Sequence, residues 1–142
     1  MEEQFQYQLQ RQYTLISNSV NTNINELSYF NKNQLTSFTW IDGYHIWKKT
    51  ISGVITGTSV NPTPHGLTAI NTVVAITGNA QNATPLTAFG LPLPYVDPVT
   101  PATSLGLFID TTNLYVNAGD NTWNTYQFNV TIYYTKVKDA NI

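Results

Sequence analysis

Few residues of this chain have side chains that could carry out catalysis. Histidine occurs twice, at His45 and His65, and there is no cysteine. Nucleophilic catalysis needs a positioned nucleophile, a base and an oxyanion donor, and neither histidine lies in a motif of that kind. The sequence instead favours His65, between a proline and a glycine, as the corner of a loop that leads into a strand. His45 is expected to be an ordinary strand residue.

Paired carboxylates could hydrolyse a glycosidic bond if they lay on either side of it. The acids beyond residue 35 are Asp42, Asp97, Asp110, Asp120 and Asp139. Asp42, Asp110 and Asp120 lie in sequences typical of turns, where aspartate bonds to its own backbone. We therefore predict no catalytic residue, no cofactor and no metal site, and we expect a protein that is not an enzyme. A glycan hydrolase is the least favoured alternative, in which two of these carboxylates meet in space.

One segment has the composition of a ligand-binding turn. Sugars present apolar C–H faces and many hydroxyls, so their sites combine aromatic rings with short polar side chains. The candidate ligand-binding residues are Asp120, Asn121, Trp123, Asn124 and Tyr126, together with Tyr95 in a separate proline-rich loop. Trp123 could instead cap the β domain or pack between subunits. Trp40 and Trp47 are expected to pack in the core or between subunits.

The charge distribution excludes a nucleic-acid partner. Only 10% of the 142 residues are charged, and no Lys or Arg lies between Thr50 and Thr135. Binding to phosphates requires a basic stripe, which this stretch does not offer. No apolar run approaches the roughly 20 residues that cross a bilayer, and the first residues do not resemble a secretory signal. We predict no membrane insertion, and a protein made in the cytoplasm without a signal peptide.

Residues 1–35 predict a helical stalk, because they lack Pro and Gly and follow a heptad pattern. With Gln6 at position a, the a and d positions that follow are Leu9, Tyr13, Ile16, Val20, Asn23, Leu27 and Phe30. Counting Gln6, six of the eight a and d positions are apolar or aromatic, as the seam of a coiled coil requires. A buried layer of Asn23 would cost stability and fix the register. A helix packed on its own β domain explains the same pattern.

Residues 36–142 predict a head domain made mainly of β-strands. From Tyr126 to Tyr134, large apolar residues occupy every second position, as one buried face of a strand requires. Short strands separated by turn residues favour an antiparallel, jelly-roll-like β-sandwich. The predicted strands are Thr36–Ile41, Tyr44–Val54, Leu67–Thr77 (closed by Gly78), Ser104–Asp110, Asn113–Asn117 and Thr125–Lys136. Residues 57–66 are predicted as a loop, and residues 82–101 as an excursion with at most short edge strands.

Three stretches, in this order, resemble the C-terminal head domains of trimeric phage tail fibres and receptor-binding proteins. Residues Trp40–Thr50 are similar to the opening hairpin of that family, and Pro64–Leu67 to a short motif before a strand. Residues Ile109–Leu114 and Val130–Lys136 resemble its closing hairpin and terminal strand. Similar heads look to be used by virophages and giant viruses. The likeness covers most of residues 38–138.

The resemblance implies a homotrimeric virion protein at the tip of a fibre. Its expected partners are other copies of itself, other virion proteins, and a host cell-surface glycan or protein. Its expected location is the surface or tail of the particle. The alternative is a structural trimerisation cap or a minor capsid component that binds no ligand.

Overall fold

The chain folds into one N-terminal helix followed by antiparallel β-sheets. The computed structural model describes residues 2–137, and the side chains of residues 18–27 lie outside what it describes. The elements are α1 (Glu2–Leu27), β1 (Gln34–Thr39), β2 (His45–Val54), β3 (Pro62–Pro64), β4 (Ile70–Gln81), β5 (Gly90–Leu93), a short 3-10 helix (Pro101–Thr103), β6 (Leu105–Ile109), β7 (Asn113–Ala118) and β8 (Gln127–Lys136). The mainly β composition with an N-terminal helix confirms the predicted fold class at this level.

The strands form two sheets that share one core. The large sheet has the order β1-β2-β8-β4-β5, and the small sheet has the order β3-β7-β6. All pairings within both sheets are antiparallel. Buried side chains from both sheets, such as Val130 of β8 and Leu114 of β7, belong to a single hydrophobic cluster. Antiparallel sheets with one packed face are expected from alternating sequences of this kind.

Strand β8 lies at the centre of the large sheet and follows the predicted alternation. Phe128, Val130, Ile132 and Tyr134 are each at most 1% exposed. Because successive side chains point to opposite faces, the residues between them lie on the outer face of the large sheet. Registered pairs such as Ile51 with Val130 continue the buried row into β2. The hydrophobic core therefore lies on one face of β8.

The helix ends earlier than the heptad pattern predicts. Helix α1 stops at Leu27, and β1 begins at Gln34, so Phe30 does not occupy a helical d position. Instead the Phe30 carbonyl accepts a hydrogen bond from the Thr50 amide at 3.0 Å, and its own amide donates to the Gln34 side chain at 2.9 Å. The amide group of Gln34, which is 1% exposed, also donates to Ser28. These bonds hold the linker between α1 and β1 along the edge of β2. The helix therefore ends before Phe30.

The largest differences from the predicted strands are at the end of β4 and at β3. Strand β4 continues through Gly78 to Gln81, so the predicted stop at Gly78 was wrong. A Cβ at Gly78 would lie 2.9 Å from the Asn129 carbonyl and from a Val130 methyl, so this glycine permits close packing rather than a turn. The predicted loop 57–66 contains the short strand β3, which lies at an edge as its prolines require. The predicted excursion contains the short edge strand β5, which agrees with the prediction.

Within residues 2–137, no helix is both long and apolar enough to cross a membrane.

Candidate functional site

Four aromatic rings from three separate loops meet at one end of the large sheet. The ring centre of Trp123 lies 5.7 Å from that of Tyr95, 5.2 Å from that of Tyr126 and 6.1 Å from that of Phe89. All three contacts are edge-to-face, an arrangement that aromatic rings favour. We call these four residues the tip cluster. Tyr95, Trp123 and Tyr126 were candidate ligand-binding residues from the sequence, and the fold brings them together.

The tip cluster lies at the opposite end of β2 from its pairing with β1. Gln34, the first residue of β1, is in register with Lys48 on β2. Val54, six residues further along β2, is in register with Gln127, the residue after Tyr126. Six strand residues span about 20 Å. The tip cluster therefore lies beyond the start of β1 along the large sheet, and the linker between α1 and β1 runs towards it as far as Thr50.

A tight turn around Asp97 supports Trp123 from one side. The carboxylate of Asp97 accepts hydrogen bonds from the amides of Val99 and Thr100 and from the hydroxyl of Thr103, at 2.9 to 3.0 Å. These bonds stabilise the charged form, and they lower the pKa of Asp97, with the Thr100 amide as the largest cause. The Thr103 carbonyl in turn accepts the indole N–H of Trp123 at 2.7 Å. The turn thereby fixes the edge of the indole.

The polar candidates of segment 120–126 mainly hold their own loop. Asp120 accepts the amide of Thr122 at 2.9 Å, and the side chain of Asn124 accepts the amide of Gly57 at 3.1 Å. A Cβ at Gly57 would lie 2.7 Å from the Cα of Asn121, so the two loops are in direct contact. These residues lie beside the tip cluster, and the hydrogen bonds show them positioning the loop that carries Trp123.

Exposed apolar side chains lie on the loops that carry Phe89 and Tyr95. Phe89 is 60% exposed, and two valines that flank Asp97, Val96 and Val99, are 73% and 89% exposed. Leu86, on the loop that carries Phe89, is 53% exposed. Apolar groups at such exposures on neighbouring loops are typical of interaction surfaces. Sequence reasoning missed Phe89, although its position in the same excursion as Tyr95 was a usable indication.

The two histidines lie in ordinary structural positions. His65 is 1% exposed, and its Nδ1 accepts the amide of Leu67 at 3.0 Å. Its Nε2 lies 2.8 Å from the Asp110 carbonyl, so Nε2 carries the proton and donates. This arrangement ties the residue before β4 to the turn between β6 and β7. His45 is the first residue of β2, half-buried.

Asp110 holds the turn that the sequence indicated, and Asn61 holds a loop that the sequence did not identify as organised. Asp110 accepts the Tyr115 hydroxyl at 2.6 Å and the amides of Thr112 and Asn113. The Tyr115 hydroxyl is the main cause that lowers the pKa of Asp110 to about 2. Asn61, with a φ of 47°, bonds through its side chain to the backbone of Thr56, Ser59 and Val116. Asparagine tolerates this left-handed conformation better than most residues.

The apolar seam of the helix is exposed in the single chain. Leu9, Tyr13 and Ile16 are 46%, 69% and 65% exposed, and they line one shallow surface hollow together with neighbouring glutamines. Val20, Asn23 and Leu27 were predicted for the same seam, but their side chains lie outside the described residues.

The described residues contain no group of three or more His, Cys, Asp or Glu side chains that could hold a metal ion. Asp97, Asp110 and Asp120 each accept hydrogen bonds from backbone amides in turns, and Asp139 lies outside the described residues. Comparison with known proteins gives no match to a family, to a curated protein or to a solved structure.

Proposed function

We propose that this chain is a homotrimeric attachment protein at the tip of a virion appendage, and that it binds a host surface glycan or protein without catalysis. The observation that carries this proposal is the tip cluster. It gathers Tyr95, Trp123 and Tyr126 near exposed apolar side chains on the loops at one end of the large sheet. A surface of aromatic and apolar side chains on loops suits a protein that contacts a partner on a cell.

The exposed helix seam supports the assembly part of the proposal. Leu9, Tyr13 and Ile16 follow the heptad spacing and are more than 40% exposed in the single chain. Burial of such side chains against neighbouring helices is the main driving force of coiled-coil formation. Cyclic symmetry would then bring three heads together around one axis.

The architecture supports the proposed head. Two antiparallel sheets with a shared core fit a β-sandwich, which is the expected head of the family that the sequence motifs resemble. In a trimer, neighbouring subunits could cover the edge strand β5. Only 10% of the residues are charged, and surfaces with few charges are compatible with contacts between subunits of a trimer.

A structural cap that binds no ligand is the second candidate. The observation that favours it is the state of Trp123, which is half-buried, packed against the core and satisfied by the Thr103 carbonyl. An indole held in this way can serve to close one end of a β domain. The exposure of Phe89 distinguishes the attachment protein from the structural cap, because a cap would gain little stability from a ring that is 60% exposed.

A glycan hydrolase has weaker support. Asp97 and Asp110 have lowered pKa values and lie in turns. A general acid would instead require a raised pKa.

Cell retention of matched variants tests the attachment proposal. The fluorescently labelled full chain and its variants Phe89→Ala and Phe38→Ala are each incubated with candidate microbial and protist cells. The same three proteins are applied to a glycan array. The two phenylalanines are equally exposed, at 60% and 62%, but Phe38 lies on β1. We expect Phe89→Ala to lose retention and Phe38→Ala to keep it. Equal retention of both variants would rule out the tip, and a trimer retained by nothing would favour the structural cap.

A further inference from the structure

The outer face of the large sheet carries polar side chains in cross-strand rows. Thr50 of β2, Thr131 of β8 and Thr77 of β4 are in register and form one row. Ser52, Asn129 and Asn79 form the next row. In a sheet, neighbouring side chains within a row are about 4.8 Å apart, and successive rows on one face are about 7 Å apart. Six short polar side chains thus occupy a rigid grid on three paired strands.

A trough of about 290 Å³ lies over this grid. Its lining residues are Tyr29, Thr50, Thr77, Gly78, Asn79, Asn129 and Thr131. None of them is charged. Its volume is near the lower end of the roughly 300–1,000 Å³ found for small-molecule sites. One or two small rings with many polar groups would fit such a volume.

The hydrogen bonds within the grid leave capacity for a ligand. The hydroxyls of Thr50 and Thr131 lie 2.8 Å apart and share one hydrogen bond. Two hydroxyls supply two donors, so one donor and several lone pairs remain. The hydroxyl of Ser52 donates to the side-chain oxygen of Asn129, which leaves the amide nitrogen of Asn129 with two N–H groups. The trough therefore offers both donors and acceptors, as a sugar with several hydroxyls requires.

Tyr29 supplies an aromatic wall that two contacts hold in place. The ammonium group of Lys48 lies 4.2 Å from the centre of the Tyr29 ring, which is a cation–π contact. Tyr133, next to Lys48 in the sheet register, hydrogen bonds to Tyr29. Burial raises the pKa of Tyr133 to about 12, with a further contribution from that hydrogen bond. Tyr29 itself is 59% exposed.

We propose that this trough is a second binding site and that it takes a neutral saccharide. A tyrosine ring can contact the apolar C–H face of a sugar, while the threonine and asparagine rows bond its hydroxyls. An acidic sugar would need a cation, and Lys48 is 2% exposed and is not part of the lining. An apolar peptide would bury the trough groups that have no partner within the grid, such as the amide N–H groups of Asn129, without a hydrogen bond, which is costly. The site is separate from the tip cluster and does not depend on it.

Titration of the full chain with sugars tests this site. The probes are a panel of neutral mono- and disaccharides, including glucose, galactose, mannose, rhamnose, N-acetylglucosamine and lactose, with N-acetylneuraminic acid as the acidic comparison. Amide chemical shifts of ¹⁵N-labelled protein locate the binding site. We expect at least one neutral sugar to shift the resonances of Thr77, Asn79, Asn129 and Thr131, at an affinity unaffected by Phe89→Ala.

Two variants and their matched controls make the result specific. Tyr29→Leu removes the wall and Asn129→Ala removes the amide, and each should weaken the affinity about tenfold or more. Tyr7→Leu and Asn117→Ala change equally exposed residue types on α1 and on the small sheet, and both should bind as the unchanged chain does. The amide spectrum of each variant verifies that it is folded. The proposal is overturned if no neutral sugar shifts the trough residues, if only the acidic sugar does, or if the trough and control variants behave alike.

Discussion

The indole N–H of Trp123 donates a hydrogen bond of 2.7 Å to the carbonyl oxygen of Thr103, twenty residues earlier in the chain. This bond joins the loop before β8 to the turn that Asp97 organises. The same indole contacts Tyr95 and Tyr126 by their ring edges. Trp123 therefore has a structural task whether or not a ligand binds beside it.

Replacement of Trp123 by phenylalanine should separate stability from binding. Trp123→Phe keeps an aromatic ring but leaves the Thr103 carbonyl without its donor, and the expected loss is about 1–3 kcal/mol in the free energy of unfolding. Phe89→Ala should cost less, because that ring is 60% exposed. Urea unfolding of the two variants and the unchanged chain measures both effects. A larger loss for Phe89→Ala would contradict the assigned roles.

Substitution in the helix should change the assembly state at seam positions only. Ile16 is at a d position and Leu15 is outside the seam, although they are 65% and 61% exposed. Ile16→Asn should therefore shift the solution mass from near three times 15.9 kDa towards 15.9 kDa. Leu15→Asn should leave the mass unchanged.

Light scattering at a fixed protein concentration provides that measurement. A monomer for the unchanged chain would remove the trimer from the proposed function. A trimer for both variants would show that the seam residue does not set the assembly.

The hydrogen bond from Tyr115 should govern the acid titration of Asp110. Its pKa in the folded protein is about 2, below the unfolded value of about 3.9. The stabilising contribution of Asp110 is therefore fully present above about pH 4 and is lost as the pH falls towards 2. Tyr115→Phe removes the largest cause, so it should raise the pKa of Asp110 and reduce this acid-dependent loss.

The Tyr115→Phe variant keeps the ring that stacks on Phe108 at 4.7 Å. Carboxyl ¹³C resonances report the titration of Asp110 separately from that of Asp97, which also has a lowered pKa. Tyr7→Phe on the helix is the control and should change neither titration. An unchanged Asp110 titration in Tyr115→Phe would show that the amides of Thr112 and Asn113 are sufficient.

Asn61 should be among the least replaceable polar residues. Its side chain accepts the Thr56 amide at 2.8 Å and donates to the carbonyls of Thr56 and Val116 at 2.9 Å each. Asn61→Ala leaves these groups unpaired at a site that is 9% exposed, and we expect a loss of about 2–4 kcal/mol. Asn117→Ala, on the exposed face of β7, should change stability by less than about 0.5 kcal/mol. Thermal and urea unfolding measure the difference.

The sequence predicted those elements whose pattern is local. The alternation from Phe128 to Tyr134 identified β8, since one buried face imposes a period of two residues. Gly78 was misread as the end of a strand. A glycine is needed there because a side chain would collide with Val130 across the sheet. Phe30 was misread because its partner, the amide of Thr50, lies on another strand. Both errors arise from contacts between residues distant in sequence.

The candidate site was predictable in composition but not in geometry. Tyr95 and Trp123 were selected separately for their types, and nothing in the sequence brought the two loops together. The same limit applied to the Thr50, Thr131 and Thr77 row, because a row across three strands depends on register. Register depends on how the strands pair with one another, so the sequence of one strand alone does not give it.

The central position of β8 has a consequence for how the chain acquires its structure. β8 pairs with both β2 and β4, yet it follows every other described strand in the chain. The large sheet cannot close during synthesis until β8 has left the ribosome, and until then β2 and β4 lack their shared neighbour. Such non-local pairing slows folding and exposes unpaired strands to aggregation. During synthesis, β2 and β4 therefore remain without their shared neighbour, and open to aggregation, until β8 has been added.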